Sequence, residues 1–118
     1  MVTIKKHRHN SVSIRATESE YRCIEVLMNH SLVNYTDFEI EYSGYEYSEI
    51  YHLHQRFISV LEPETIFTVE EAQALLCCML ECKYKKFPDM DDKDRLHITE
   101  SILRFSIRDN FGFPIKNL

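Results

Sequence analysis

Residues 2–32 read VTIKKHRHNSVSIRATESEYRCIEVLMNHSL, and a change of period at Thr17 decides the fold class. Val2 and Ile4, then Val12, Ile14 and Ala16, alternate with polar residues, the period-2 pattern of strands with one buried face. The polar run Arg8-His9-Asn10-Ser11 between them predicts a turn, so this segment reads as a hairpin. Thr17 followed three residues later by Glu20 has the form of a capping box. Tyr21, Ile24, Leu27, Met28 and Leu32 then recur at helical spacing, which predicts a helix from about Glu18 to Leu32.

Working outward, Phe38, Ile40 and Tyr42 alternate with Glu39 and Glu41, which predicts a further strand near residues 37–42 with carboxylates on its outer face. Ser43 with Glu46 predicts the cap of a second helix that carries Tyr47, Ile50, Tyr51, His54, Phe57, Ile58 and Leu61 on one side and ends before Pro63. Thr68 with Glu71 repeats the capping box, and Ala72, Leu75, Leu76, Met79 and Leu80 give a third helix a wide apolar face up to about Lys85, ahead of Pro88. A fourth helix is predicted from about Asp92 to Asn110, with Leu96, Ile102, Leu103, Ile107 and Phe111 inward and Gly112 as its terminator.

The expected architecture is an α+β single domain over residues 1–118. It is dominated by about four helices, with a small antiparallel sheet made of the N-terminal hairpin and the strand near 37–42. A chain of 118 residues, 44% hydrophobic and 28% charged, is large enough to bury a core of its own, and two glycines with three prolines are too few for the turns of an all-β sandwich. The longest mostly apolar run, Ala72–Leu80, is too short to span a bilayer, and the basic N-terminus has no apolar signal core. A soluble, cytoplasmic protein is expected. Its four cysteines, Cys23, Cys77, Cys78 and Cys82, are then reduced, because three crowd one helix and form a poor disulfide framework. The sequons at Asn29 and Asn34 matter only with a secretion route.

Charge falls in three blocks. Residues 1–16 carry Lys5, Lys6, Arg8 and Arg15 with no acid, residues 17–71 carry twelve acids against Arg22 and Arg56, and residues 72–118 carry seven acids against eight bases, for a total of −5. The acidic middle repels phosphate and argues against nucleic acid as the partner; a basic protein fits better. Within that block, residues 35–51 hold Tyr35, Tyr42, Tyr45, Tyr47 and Tyr51 among Asp37, Glu39, Glu41, Glu46 and Glu49, with no lysine or arginine. Tyrosine supplies broad, stiff contact area with a polar tip, and clustered carboxylates steer a basic partner. The residues assigned to partner binding are Asp37, Glu39, Glu41, Tyr42, Tyr45, Glu46, Tyr47 and Glu49, with Tyr45 and Tyr47 as anchors. The competing reading places Tyr42, Tyr47 and Tyr51 in the core.

No glycine-rich phosphate loop, nucleophile elbow or zinc-protease helix occurs, so no catalytic residue or cofactor is assigned. Cys78 and Cys82, four apart on one helical face, could join histidines around zinc, but without a second pair at matching spacing they read as small core residues. His7 with His9 and His52 with His54 are spaced by two, which shares a face on a strand but diverges on a helix. A small acidic helical domain with an aromatic and carboxylate face resembles in build, though in no motif, the bacterial immunity proteins and antitoxins that neutralise basic toxins. The resemblance implies a noncatalytic inhibitor. The alternatives are a regulatory or phage accessory protein that binds a host factor, and a zinc enzyme or sensor using Cys78, Cys82 and histidines.

Overall fold

The computed structural model describes residues 2–7, 10–35, 44–59, 62–87 and 90–108, side chains of 105–108 excepted. Strands β1 (Thr3–Lys6) and β2 (Ser11–Arg15) are followed by helices α1 (Glu18–Val33) and α2 (Tyr47–Ile58), strand β3 (Glu64–Thr68), and helices α3 (Val69–Tyr84) and α4 (Asp92–Arg108). The α+β class and the four helices agree with the reading of the sequence. The hairpin forms as expected, with Ile4 opposite Ile14 and Lys6 opposite Val12. Asn10 takes the turn at φ 57, a left-handed conformation that asparagine tolerates better than most residues. Both capping boxes are present, Thr17 with Glu20 and Thr68 with Glu71.

The third strand of the described sheet is one that the sequence reading did not assign. Residues 37–42 lie outside the described residues, and the strand beside β2 is β3, antiparallel, with Val12 opposite Phe67 and Ile14 opposite Thr65. Within Glu64–Thr68 only Phe67 is a large inward side chain, while Ile66 next to it is 54% exposed. Two adjacent apolar residues hide the alternation.

Bonding in the ladder follows from three contacts. His7 N–H donates to the Ser11 carbonyl, Val69 N–H to Asn10 and Ala16 N–H to Pro63. Antiparallel ladders alternate. Odd residues of β2 therefore bond β1, even residues bond β3, and the Ile66 carbonyl points away from β2. The Arg56 guanidinium meets it there at 2.5 Å, reaches both Glu71 oxygens at 2.7 Å, and lies 4.3 Å from the Phe67 ring centroid. A charged side chain thus blunts the outer edge of the sheet.

Ile4, Val12, Ile14 and Phe67 form the inward face. Helix α3 lies against β2 and β3, α4 lies against β1, and α1 packs on the other three helices. Helix α3 is central, with Ala72, Ala74, Leu75, Leu76, Cys77, Cys78, Met79 and Cys82 all buried. The Tyr21 hydroxyl ties α1 to the sheet by donating to the carbonyls of Ile14 (2.6 Å) and Pro63 (3.1 Å). The inward stripe of α4 is Arg95, Ile98, Thr99 and Ile102, whereas Leu96 and Leu103, expected inward, are half-buried. Polar members at Arg95 and Thr99 conceal that stripe from a hydrophobic count. Ile107, Phe111 and Gly112 lie outside the described side chains. Among the described residues no helix is long and apolar enough to cross a membrane.

Candidate functional site

Helix α2 begins later than its expected Ser43 cap. Its N-cap is Glu46, in extended backbone at φ −80 and ψ 154, with no side-chain capping bond. Gly44, at φ 92, leads into it. Extended residues alternate in direction, so Tyr45 turns inward and Glu46 outward. Tyr45 is 4% exposed and Ile50 fully buried. These are the positions flanking an N-cap that form a hydrophobic staple. The expectation that Tyr45 stands outward as an anchor is therefore corrected: it belongs to the core. Burial, and then the neighbouring Cys77 and Glu49, push its hydroxyl up to about 12.

Tyr47 is the first helical residue and stays out, 49% exposed, and Tyr51 one turn later is 43% exposed. The rings connect. Tyr35, at the end of α1, donates its hydroxyl to the Tyr45 carbonyl and meets Tyr47 edge-on at 5.6 Å and 86°. Tyr47 and Tyr51 lie near-parallel, 16° apart in plane with centroids at 6.4 Å, and Tyr51 meets His52 at 5.8 Å and 71°. Ile58 continues the outer side of the helix, 42% exposed. Of the nearby carboxylates, Glu46 is exposed just before Tyr47, and Glu49 is half-buried in the first turn of α2, two residues from Tyr47 and from Tyr51 and so on another side of the helix, where it favours the helix dipole.

Of the residues assigned from sequence, the structure sets Glu46 and Tyr47 side by side at the exposed start of α2, places Glu49 on another side of that helix and withdraws Tyr45. Asp37, Glu39, Glu41 and Tyr42 lie outside the described residues. Tyr35, Tyr51, His52 and Ile58 were not assigned and join the face. Spacing of i, i+4 from Tyr47 to Tyr51 was the available signal, and the staple pair Tyr45 and Ile50 would have fixed the phase of the helix.

The cysteines face the core. Cys77, Cys78 and Cys82 are buried and Cys23 is half-buried, and none of the four is in a disulfide. Cys82 Sγ lies 3.4 Å from Ser31 Oγ and donates toward the Leu27 carbonyl at 3.6 Å. Burial pushes the Cys82 thiol up to about 12 and holds Cys78 well above its ordinary range. Such thiols resist becoming the thiolates that bind zinc or attack substrates. Among the described residues no group of three or more His, Cys, Asp or Glu is placed to hold a metal ion. His52 is exposed while His54 is 5% exposed, Nε2 3.4 Å from Glu25 Oε1, so the pair diverges as its spacing predicts.

One pair has the outline of a nucleophile and base. His7 Nε2 lies 2.8 Å from Ser13 Oγ, but Ser13 is 4% exposed on the central strand, where a substrate carbonyl has no approach.

The elevated thiols carry a pH consequence. Their folded pKa lies above the unfolded value, so the folded chain holds more protons in alkali, and stability is present in full below about pH 9 and drains as pH rises toward 12. Cys82 alone is expected to cost about 3 kcal/mol by pH 11. Urea midpoints measured from pH 7 to pH 11 should fall only above about pH 9. A flat profile that matches a Cys82→Ala variant rules this out.

Comparison with protein-family models, with curated proteins and with solved structures finds no match.

Proposed function

We propose that this chain is a noncatalytic protein-binding module that docks the outer face of α2 onto a basic protein. The observation that carries the reading is the ring ladder of exposed Tyr47, Tyr51 and His52, braced by half-buried Tyr35 and preceded by exposed Glu46. Large aromatic side chains held against one another on a surface offer stiff contact area with little entropy left to lose on binding. Carboxylates beside them draw in lysine and arginine and raise the association rate. Glu39 and Glu41 extend the same charge along the chain. Stoichiometric neutralisation of a basic toxin, in the manner of immunity proteins and antitoxins, is the biological role that best suits this chemistry, in a reducing bacterial cytoplasm. Regulation of a host factor would use the same face.

The test begins with affinity capture from the native host, comparing wild type with a Tyr47→Ala/Tyr51→Ala variant and a Glu46→Lys/Glu49→Lys variant. The purified prey is then measured by binding kinetics across salt concentration. Charge reversal is expected to slow association about tenfold at low salt and flatten its salt dependence. Removing the rings is expected to speed dissociation, by about 2 kcal/mol if either tyrosine is a hot spot. A partner that binds all three proteins alike excludes this face.

A further inference from the structure

Two aromatic rings of this chain already carry a cation. Arg56 sets its guanidinium carbon 4.3 Å from the Phe67 ring centroid while its Nη1 reaches both Glu71 oxygens at 2.7 Å, and Lys83 Nζ lies 5.6 Å from the Tyr84 ring. Tyr47 and Tyr51 are in the opposite position. They are 49% and 43% exposed, yet among the described residues no lysine or arginine lies over either ring. The run from Tyr35 to Tyr51 holds no lysine or arginine. The next base on α2, Arg56, is committed to Glu71 and the Ile66 carbonyl, and Arg22 of α1 is held by the Phe57 and Ile58 carbonyls at the far end of α2.

A carboxylate stands beside these bare rings. Glu46 is exposed next to Tyr47, makes no capping bond with its side chain, and has no ion pair among the described residues. The start of α2 thus offers the ring and carboxylate that Phe67 and Glu71 give to Arg56, without the cation. The rings are also held in advance. Tyr35 bonds the Tyr45 carbonyl and meets Tyr47 edge-on, and the planes of Tyr47 and Tyr51 differ by 16°, so a planar group aligned with one ring is nearly aligned with both.

We infer that the Tyr47 and Tyr51 rings receive an arginine of the basic partner, its guanidinium stacked on a ring face and its N–H groups turned toward Glu46. This deepens the binding role proposed above and rests on it. Shape and hydration favour arginine over lysine. A planar, weakly hydrated guanidinium stacks on a ring and still presents edge N–H groups to a carboxylate, whereas a lysine ammonium is a compact, strongly hydrated point charge. A second copy of the chain is a poorer occupant. A two-fold contact would set this face against itself, acid on acid, in a chain whose residues 17–71 carry twelve acids against two arginines.

Hexaarginine and hexalysine amides, equal in length and charge, are the probes, and calorimetric titration of the purified chain gives their affinities. Hexaarginine is expected to bind about threefold more tightly. Tyr47→Leu/Tyr51→Leu keeps apolar area without a ring and should bring the two affinities together. Tyr47→Phe/Tyr51→Phe should retain the preference, and Glu46→Gln should weaken both peptides. Equal affinities for the wild-type chain, unchanged binding by Glu46→Gln, or a preference that persists in the leucine variant overturns the inference. Loss of the preference in the phenylalanine variant overturns it too, because the hydroxyls rather than the ring faces then hold the cation. So does a dimer in sedimentation equilibrium that the leucine variant loses, since a second copy then covers the rings. Equal peptide affinities, with capture of a host partner that still needs Tyr47 and Tyr51, remove this inference alone. A ring-dependent arginine preference, with capture indifferent to the rings, leaves it standing and removes the earlier reading.

Discussion

Phe57→Ala is expected to destabilise the fold by about 3–5 kcal/mol. Phe57 has no solvent exposure. Its ring stacks on Phe67 of β3 at 5.1 Å and 20° and tilts against Tyr21 of α1 at 6.2 Å and 43°, so one side chain joins three elements. Truncation loses the transfer energy of the ring and leaves a cavity whose walls are two other large, fixed aromatics. The Phe67 ring also lies under Arg56, so loosening it should weaken the contact that guards the sheet edge. Against a typical total of about 5–15 kcal/mol, such a loss leaves a marginal domain. Urea unfolding at unchanged slope measures it. A loss under about 1 kcal/mol shows that neighbours collapse into the space, and that α2 is not held to the sheet through this residue. Because α2 carries the ring ladder, binding of the proposed partner should weaken along with stability in this variant, although Phe57 itself is buried.

Arg95→Ala should cost about 3 kcal/mol, an unusual penalty for removing a charged residue. Arg95 is 4% exposed. Its guanidinium donates to the carbonyls of Cys82 (2.7 Å) and Lys83 (2.5 Å), in the last turn of α3, and to Asp92 Oδ1 at 3.3 Å. Helix ends leave carbonyls without intrahelical partners, and a cation there also complements the helix dipole. Removing the side chain leaves those carbonyls unsatisfied in a buried setting. Its Nε has no hydrogen-bond partner among the described residues and is itself buried, so the residue carries a desolvation cost that its other bonds offset. Arg95→Met restores most of the volume without the donors and should recover only part of the loss. A methionine variant as stable as wild type would show that packing, rather than the capping of α3, is what Arg95 provides.

These two residues also mark how far the sequence could be read. Phe57 belongs to a regular apolar stripe and is visible as core at once. Arg95 interrupts a stripe, and hydropathy assigns it to solvent, because the carbonyls that make its burial tolerable come from the end of another helix, twelve and thirteen residues earlier in the chain. Tyr45 failed in the opposite sense: an acidic, tyrosine-rich neighbourhood looked like surface throughout. The alternation of extended backbone sends Tyr45 in and Glu46 out, a distinction the composition of the stretch does not contain. The stretch did announce the ring face, since Tyr47 and Tyr51 are one turn apart, but not that Tyr35, just beyond the end of α1, would meet them.

What the amino-acid sequence determined by itself was local: the hairpin, two boxed helix starts, four amphipathic segments and the acidic cast of the middle block. Each depends on backbone geometry over a few residues, where a side chain and the amide it caps are only three positions apart. Tertiary structure alone decided which segment completes the sheet, which tyrosines face water and why a guanidinium is buried. Those outcomes depend on pairings such as Val12 with Phe67 or Arg95 with Cys82, between segments that hold no information about one another until the chain has folded.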